Sequence, residues 1–254
     1  MKKKKKHRLS YPVPERNQAQ PDAAAIAKNA FITNVSHEIR TPMNAIMGFA
    51  QMLKCTDLDP KQGDYVDVIL DSGKKLLLLI GNLLDLSNLQ MGKTNLLPVD
   101  CDPNALVSRV WGHYRPLIAS KNLKPELVTE EDLPIVIVDE EKVERVLSFV
   151  LSNAIKFTTS GSVTLRMKLV DAFPYSYLDF EVEDTGCGIE EDRLKHIFEA
   201  FEQADNSITR TYQGLGLGLG ISSKIVELLG GEISATSTLG SGSCFHLKIP
   251  VGIR

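Results

Sequence analysis

Residues 31–49 read FITNVSHEIRTPMNAIMGF. Apolar residues recur through and just beyond it in alternating steps of three and four, the spacing of one packed face of an amphipathic helix. With Pro42 in phase, this predicted seam consists of Ile32, Val35, Ile39, Ile46, Phe49 and Leu53. If the first two occupy the two seam positions of a heptad, His37 takes the position opposite the seam. We therefore expect His37 to face water on a packed helix.

The residues around His37 give it chemical interest. Glu38 is adjacent, Thr41 lies one turn further on, and Pro42 removes the backbone donor that would bond to Glu38, so a kink just beyond the histidine is expected. A lone histidine of this kind is usually a solvated surface residue. An imidazole that titrates near neutrality beside a carboxylate can instead act as a nucleophile. These residues alone do not indicate what it would attack.

A second amphipathic segment completes a helical hairpin. We predict helices over residues 22–54 and 64–91, with a turn at 55–63 where Asp, Pro and Gly cluster, and Gly92 as the C-cap. The seam of the second helix consists of Val66, Ile69, Gly73, Leu76, Ile80 and Leu83. Additional leucines make its apolar surface wider than one hairpin can cover. Two copies would form a four-helix bundle, whereas the alternative is packing against the following domain of the same chain.

Helix and strand patterns alternate after residue 102. The predicted helices cover 103–120, 140–157 and 217–229, and the predicted strands cover 124–129, 135–138, 162–171, 177–183, 232–236 and 243–250. This order, with antiparallel hairpins at the end, indicates an α/β sandwich of one mixed sheet with helices on one face. The predicted fold class is therefore α+β. Its expected parts are a basic disordered leader at 1–21, a dimerisation hairpin at 22–92, a linker and hinge at 93–102 and a second domain at 103–254.

The composition excludes several classes of protein. The 254 residues have a formal charge of −3 although residues 1–8 carry six positive charges, so the folded part is acidic and we expect no specific nucleic-acid partner. The lysines at 2–6 indicate a disordered terminus or, alternatively, an electrostatic tether. We expect neither a secretory signal nor a membrane span in these residues, and the four cysteines show no CxxC spacing. We therefore expect reduced thiols and a cytoplasmic location, or a membrane tether within a longer parent protein.

Two polar signals lie on predicted regular elements of the second domain. LSNAIKFT at 151–158 places Asn153 and Lys156 three residues apart on one face of an otherwise apolar helix, so an amide oxygen and an ammonium group lie side by side. An isolated Asn on such a helix more often satisfies a neighbouring backbone group. EDTGCGI at 183–189 follows an apolar strand and carries Asp184, Gly186 and Gly188. Such a motif is usually a turn, but the aspartate can accept a bond from an exocyclic amine while the glycines admit a flat ring.

Two further signals lie in a glycine-rich segment and the long loop before it. YQGLGLGLGI at 212–221 alternates glycine with leucine immediately before a helix, where free amides favour a phosphate, although a flexible hinge has the same composition. Residues 198–210 show no steady period, which is typical of a lid. Phe198 and Phe201 are interpreted as core anchors of this loop.

The motifs together resemble those of a known family. S-H-E-x-x-T-P at residues 36–42 closely resembles the phospho-acceptor box of sensor histidine kinases. The order of an Asn helix, D-x-G-x-G, a phenylalanine-bearing lid and G-x-G-x-G resembles the N, G1, F and G2 boxes of the histidine-kinase ATP-binding domain. That Bergerat fold is shared with gyrase and the MutL repair proteins. The resemblance extends over residues 31–250, and the acceptor box separates a kinase from the other ATPases.

The resemblance implies a role for each residue of the acceptor box. His37 would attack the terminal phosphoryl group of ATP in line, with Glu38 as its base. Thr41 would position water when the same domain dephosphorylates its partner. The implied partners are a second copy of the hairpin, a response-regulator receiver domain and an upstream sensor domain outside this chain. Catalysis of this kind consists mostly of positioning and charge neutralisation.

The resemblance also implies the nucleotide contacts, with ATP and Mg²⁺ as cofactors. Asn153 would ligate Mg²⁺, Lys156 would contact a phosphate oxygen, and Asp184 would bind the adenine amino group. Gly186 and Gly188 would shape the adenine pocket. The phosphates would be held by Arg210 on the lid and by amides around Gly214, Gly216 and Gly218.

Two departures from the family pattern keep other functions open. Phe149 stands where the family usually has a second Asn, and Gln213 stands where it has a glycine. Some members place Gln at the second position and use it on the metal, so we hypothesise that Gln213 replaces the missing contact. A signalling scaffold, or a degenerate kinase that acts mainly as a phosphatase, is the alternative function. A gyrase-type ATPase without histidine chemistry conflicts with the acceptor box.

Overall fold

The computed structural model describes residues 23–172, 175–200 and 216–254, with side chains from Phe31 onward. These residues form two compact units, divided between Thr94 and Asn95. The predicted leader at 1–21, the lid residues from 201 and the first half of the glycine-rich segment lie outside the described residues. None of the described helices is both long enough and apolar enough to span a bilayer.

The first unit is a helical hairpin of α1 (Ala23–Lys54) and α2 (Pro60–Gln90). The start of α2 was wrongly predicted four residues late, because its capping box lies inside the cluster that we interpreted as a turn. Asp59 accepts a bond from the Gln62 backbone at 2.9 Å, and the Gln62 side chain accepts one from the Asp59 backbone at 3.0 Å. Pro60 at the first helical position suits a helix start, since its missing N–H is one that no helix bond would use.

A glycine motif ends α2, as predicted, although the cap residue itself is Met91. Gly92 follows it with φ of +62°, a conformation that glycine adopts without steric cost. The backbone of Gly92 donates to the Leu89 carbonyl and that of Lys93 donates to the Asn88 carbonyl, both at 3.0 Å. These two bonds satisfy carbonyls that have no partner within the helix.

The packed line between the helices only partly follows the predicted seams. On α2, Val66, Gly73 and Ile80 are buried as predicted. The bare backbone of Gly73 faces Met47 and Met43 of α1. The seam prediction is wrong for a single hairpin at five positions that remain exposed, namely Ile46, Phe49, Leu53, Ile69 and Leu76. The helix α1 continues through Pro42, and a kink there stays a prediction.

The second unit is an α/β sandwich built on one mixed sheet, which confirms the predicted fold. Its strands are β1 (Val99–Cys101), β2 (Lys124–Thr129), β3 (Val136–Val138), β4 (Ser162–Ala172), β5 (Tyr175–Asp184), β6 (Glu232–Thr238) and β7 (Gly242–Ile253). Its helices are α3 (Pro103–Ser120), α4 (Glu140–Phe157), α5 (Glu191–Leu194) and α6 (Leu217–Leu228). The strand order is β1-β3-β7-β5-β4-β2, with β6 paired to β7. Only β2 and β4 run parallel among the described strands.

The two faces of the sheet differ in polarity, as β5 illustrates. Leu178, Phe180 and Val182 on one face are fully buried. The opposite face carries acidic side chains, among them Glu183, which accepts a bond from Arg166 on β4 at 2.6 Å. Because side chains alternate between the two faces of a strand, the core lies between the apolar face of the sheet and the helices. Asp184, the last residue of β5, belongs by its position to the buried face.

Candidate functional site

His37 lies on the exposed surface of α1, as the seam predicted. The preceding Ser36 is buried, and its hydroxyl donates to the Ile32 carbonyl at 2.7 Å. One turn after the histidine, Thr41 donates to the His37 carbonyl at 3.2 Å. Because consecutive helical residues point about 100° apart, the buried serine and the exposed histidine follow from one helix orientation. The imidazole and the neighbouring Glu38 carboxylate are both accessible from outside the hairpin.

Helix α4 presents Asn153 and Lys156 on a half-buried surface. Its other face carries residues that are fully buried against the sheet, such as Leu147, Val150 and Leu151. Burial lowers the pKa of the Lys156 ammonium group, which lies 4.9 Å above the Phe157 ring. A partly dehydrated cation of this kind gains free energy when an anion binds beside it.

Asp184 is the most strongly enclosed acid of the predicted set, with an exposed fraction of 6%. Burial raises the pKa of its carboxyl group, whereas hydrogen bonds from the backbone of Gly186 and Ser243 act in the opposite direction. The Gly186 N–H donates to Oδ1 at 2.8 Å. The Thr158 hydroxyl also interacts with the carboxylate. The group is therefore fixed in position at the end of β5 and oriented by its own loop.

Gly186 and Gly188 both have a packing role in the loop that follows β5. A Cβ on Gly186 would lie 2.5 Å from the Phe157 carbonyl oxygen, at the end of α4. Gly188 has φ of +71°, and a Cβ there would lie 2.1 Å from the Thr238 carbonyl oxygen. The glycines thus let the loop after β5 pass between α4 and the β6–β7 turn. Their part in shaping a ligand pocket stays a prediction.

The start of α6 lies against the same helix, α4. Gly216 precedes α6 with φ of +66°, and a Cβ on Gly218 would lie 3.1 Å from Cδ1 of Phe149. The Phe149 ring therefore occupies the contact between α4 and α6, with the Arg145 guanidinium carbon 5.7 Å from its centroid. Arg210, Gln213, Gly214 and Phe201 lie outside the described residues. Phe198 packs edge-on against Phe245 at 6.4 Å between centroids, as expected of a core anchor.

Three motifs that are far apart in the sequence thus meet around α4. The loop after β5 contacts its C-terminal end, where Cys187 N–H also donates to the Phe157 carbonyl at 3.3 Å. Gly218 of α6 contacts its middle through Phe149. No cluster of His, Cys, Asp or Glu suited to a metal is found in the described part of the chain. The amide oxygen of Asn153 is a hard donor, which suits Mg²⁺ because this ion takes few protein ligands besides phosphates and water.

Two groups beside Asp184 were missed by the sequence analysis. Thr158 belongs to the quoted LSNAIKFT motif, so its hydroxyl could have been included as a polar group that directly follows the helix. Ser243 is paired with Asp184 through the register of β5 and β7. That register depends on the tertiary fold, and no local pattern around Ser243 indicates it.

Comparison with known protein families assigns both units. Residues 27–92 match the His Kinase A (phospho-acceptor) domain. Residues 138–253 match the family described as histidine kinase-, DNA gyrase B- and HSP90-like ATPase. The first match includes His37, and the second includes Asn153 and Asp184.

Individual relatives agree with the family assignment. The chain is 38% identical over 235 residues to the autoinducer 2 sensor kinase/phosphatase LuxQ of Vibrio cholerae, covering 91% of this chain and 27% of the relative. It is 38% identical to the sensor protein GacS of Pseudomonas syringae, covering 89% of this chain and 26% of the relative. The crystal structure of full-length ShkA in complex with AMPPNP superposes with a TM-score of 0.78 and 31% identity, over 89% of this chain and 46% of that one. The chain therefore spans about a quarter of the length of these curated relatives.

Proposed function

Since this chain belongs to the sensor histidine kinases, we propose that it transfers the terminal phosphoryl group of ATP to His37 and then to a response-regulator aspartate. The observation that carries the proposal is an exposed imidazole in the acceptor box, together with an ATPase domain whose motifs meet around α4. An imidazole nitrogen forms the N–P bond while the bond from the γ-phosphorus to the β,γ-bridging oxygen breaks. ADP leaves with the bridging oxygen, and Glu38 takes the imidazole proton.

The nucleotide contacts follow from the groups around α4. Asp184 accepts a bond from the adenine amino group, and Gly186 and Gly188 form the wall of that pocket. Lys156 and Arg210 bind the phosphates together with amides at Gly214, Gly216 and Gly218. Asn153 would hold Mg²⁺, and the bound ion would neutralise charge on the phosphate oxygens. Dipoles and cations that are already oriented towards the phosphates act without reorganisation at the moment of transfer.

Gln213 would supply the second metal contact that Phe149 cannot provide. A phenyl ring offers no lone pair to a hard cation, whereas a Gln amide oxygen does. Gln213→Ala is expected to raise the Mg²⁺ concentration needed for half-maximal ATP binding, measured by titration calorimetry. An unchanged Mg²⁺ dependence would reject this role for Gln213.

The partners proposed for this chain follow from its surfaces and its family. The apolar stripe left exposed on the hairpin pairs with a second copy to form a four-helix bundle. A response-regulator receiver domain docks on that bundle, and a sensor domain of the longer protein supplies the stimulus. The two domains extend over residues 22–92 and 103–254. The location is cytoplasmic, with any membrane tether in the longer protein.

The direct test is transfer of radiolabel from γ-labelled ATP. The wild-type chain is expected to acquire a label that is stable in alkali and labile in acid, as phosphohistidine is. His37→Gln is expected to abolish labelling and leave ATP binding intact, whereas Asn153→Ala is expected to weaken ATP binding as well. Labelling that persists in His37→Gln would place the acceptor elsewhere.

A second candidate function is phosphatase-dominant or scaffold activity. It is favoured by Phe149, which occupies the α4–α6 contact in place of a polar residue, and by the kinase/phosphatase description of the LuxQ relative. ATP binding without labelling of His37, combined with accelerated loss of phosphate from a phosphorylated receiver domain, would select this function. Thr41→Ala should then slow the dephosphorylation.

A further inference from the structure

Three polar side chains lie side by side at one end of the buried face of the sheet. Asp184 of β5 is paired with Ser243 of β7, which in turn is paired with Ser237 of β6. Directly paired residues project from the same face of a sheet, with Cβ atoms about 4.5–5.5 Å apart. The next row on this face is apolar and consists of Val182, Phe245 and Ala235. Packing of the apolar core therefore does not explain the polar row.

The Ser237 hydroxyl makes three hydrogen bonds. It donates to the Gly242 carbonyl at 2.8 Å. Its oxygen accepts a bond from the Ile189 backbone, also at 2.8 Å. The hydroxyl oxygen of Ser243 lies 3.0 Å away. Because a hydroxyl has one hydrogen and two lone pairs, these three bonds use its full capacity.

These bonds fix the direction of the bond between the two serines. A carbonyl oxygen can only accept, so the single hydroxyl hydrogen of Ser237 is used for Gly242. Ser243 must then donate its own hydrogen to Ser237. The Ser243 oxygen is therefore left with lone pairs alone for any ligand that reaches it.

Ser243 lies directly beside the carboxylate proposed to bind adenine. Its backbone N–H donates to Asp184, and the Asp184 carboxylate and the Ser243 oxygen both accept hydrogen bonds. We propose that Ser237 is a positioning residue for base selection, because it takes the hydroxyl hydrogen of Ser243 and leaves only acceptors at this end of the sheet. This inference rests on the proposed contact between Asp184 and adenine.

An array of acceptors discriminates between purines at position 6 of the ring. Adenine carries an amino group there, with two hydrogens to donate, whereas hypoxanthine and guanine carry an oxygen that needs a donor. To receive a 6-oxo base, Ser243 would have to turn its hydrogen away from Ser237 and lose that bond. The net contribution of one such bond corresponds to about two- to tenfold in affinity. Ser237 should therefore favour ATP over a 6-oxo nucleotide by this factor.

Ser237→Ala in the full chain tests the inference, with ATP and inosine triphosphate as probes. The two nucleotides differ only at positions 1 and 6 of the purine, and titration calorimetry gives a Kd for each. Alanine frees the Ser243 hydrogen for the 6-oxo group, so the ratio of the inosine triphosphate Kd to the ATP Kd is expected to fall about two- to tenfold. Loss of the Ile189 bond should weaken both nucleotides alike, so a purely structural role would leave the ratio unchanged.

Three further variants make the test specific. Ser237→Thr retains the hydroxyl and should retain the wild-type ratio. Ser234→Ala, at an exposed position on the opposite face of β6, is the matched control and should also retain it. Ser243→Ala removes an acceptor of the amino group, so it should lower the ratio by itself. Adding Ser237→Ala to that variant should change the ratio no further, because the hydroxyl that responds to Ser237 is absent.

The outcomes separate this inference from the proposed function. An equal ratio in wild type and Ser237→Ala would overturn the positioning role, as would a shift that persists in the Ser243→Ala background. If Ser237→Ala does not fold, an unchanged ratio in Ser243→Ala overturns it instead. A wild type that binds both nucleotides equally would reject the adenine contact of Asp184 and this inference with it. A wild type that prefers ATP without labelling His37 would reject the kinase function alone.

Discussion

Asp184 and Asp179 lie on the same strand but in different environments. Both lie on β5 and are nearly buried, with exposed fractions of 6% and 8%. They are five positions apart, so they point to opposite faces of the sheet. Asp179 lies 3.5 Å from the Lys168 ammonium nitrogen, whereas the pKa of Asp184 is raised mainly by burial. Of these two acids, Asp184 is the one that lies beside the motifs that meet at α4.

Asp184→Asn should weaken ATP binding and shift the base preference. The side-chain amide places a donor where the adenine amino group needs an acceptor, a loss of about 1.5–3 kcal/mol or roughly 10- to 150-fold in Kd. The amide can instead donate to the O6 of guanine, so the ratio of GTP to ATP affinity should rise. Calorimetry with both nucleotides measures this, and Asp179→Asn is the control on the opposite face. Equal losses in the two variants would show a general effect of disturbing β5.

Lys156 allows a prediction about pH. Burial lowers the pKa of its ammonium group in the free protein, and bound phosphate favours the charged form and raises it again. ATP affinity should therefore fall as pH rises through the free-protein pKa, which lies below the ordinary lysine value of about 10.4. Lys156→Arg stays charged and should flatten this dependence. Kd values from about pH 7 to pH 10 measure the effect, and Lys224→Arg, an exposed site on α6, should leave the wild-type profile unchanged.

The elements with strong local signals were predicted well, and those fixed by distant contacts were not. The bounds of α3 and α4 agree with prediction because Asp102 and Asp139 cap them and apolar periodicity defines their length. Strand β1 was missed because three residues are too few for a pattern, and its existence depends on pairing with β3. The exposed position of His37 followed from periodicity, whereas the partners of Asp184 depended on sheet register.

Glycine is required at Gly188, in the loop after β5, for a different reason than at Gly240, in the β6–β7 turn. Gly188 and Gly240 both have positive φ, +71° and +80°, but a Cβ on Gly188 would meet the Thr238 carbonyl and one on Gly240 would meet open space. Alanine should therefore cost about 1–2 kcal/mol at Gly240 for backbone strain and about 1–3 kcal/mol more at Gly188 for the steric contact.

Chemical denaturation measures the two unfolding free energies. Comparable losses in Gly188→Ala and Gly240→Ala would mean that the loop relaxes away from Thr238, and the packing role of Gly188 would be rejected. ATP binding by Gly188→Ala, measured at low denaturant, then shows whether movement of the loop also displaces Asp184. The two residues are linked because the backbone of Gly186, in the same loop, donates to the Asp184 carboxylate.

The hairpin has more apolar surface than it buries within one chain. Its own interface uses Ala50, Val66 and Leu70, with Met47 and Leu58 packed around them. The stripe of Ile46, Phe49, Leu53, Ile69 and Leu76 remains exposed beside it, although these residues follow the predicted seam. In a four-helix bundle, a second, equivalent hairpin covers the apolar seam that a single hairpin leaves exposed.

Phe49→Glu should therefore convert a dimer into a monomer. The Phe49 side chain is 68% exposed in the single chain, and its burial in a two-copy interface would contribute about 1.5–3 kcal/mol per copy. Glutamate at this position would instead require a buried charge from each copy.

Val68→Glu is the matched control, since Val68 is 63% exposed but lies about 100° around α2 from Ile69. Light scattering of the full chain should give a dimer mass for the wild type and Val68→Glu, and a monomer mass for Phe49→Glu. A monomeric wild type, or a dimer that survives Phe49→Glu, would mean that this stripe does not join two copies.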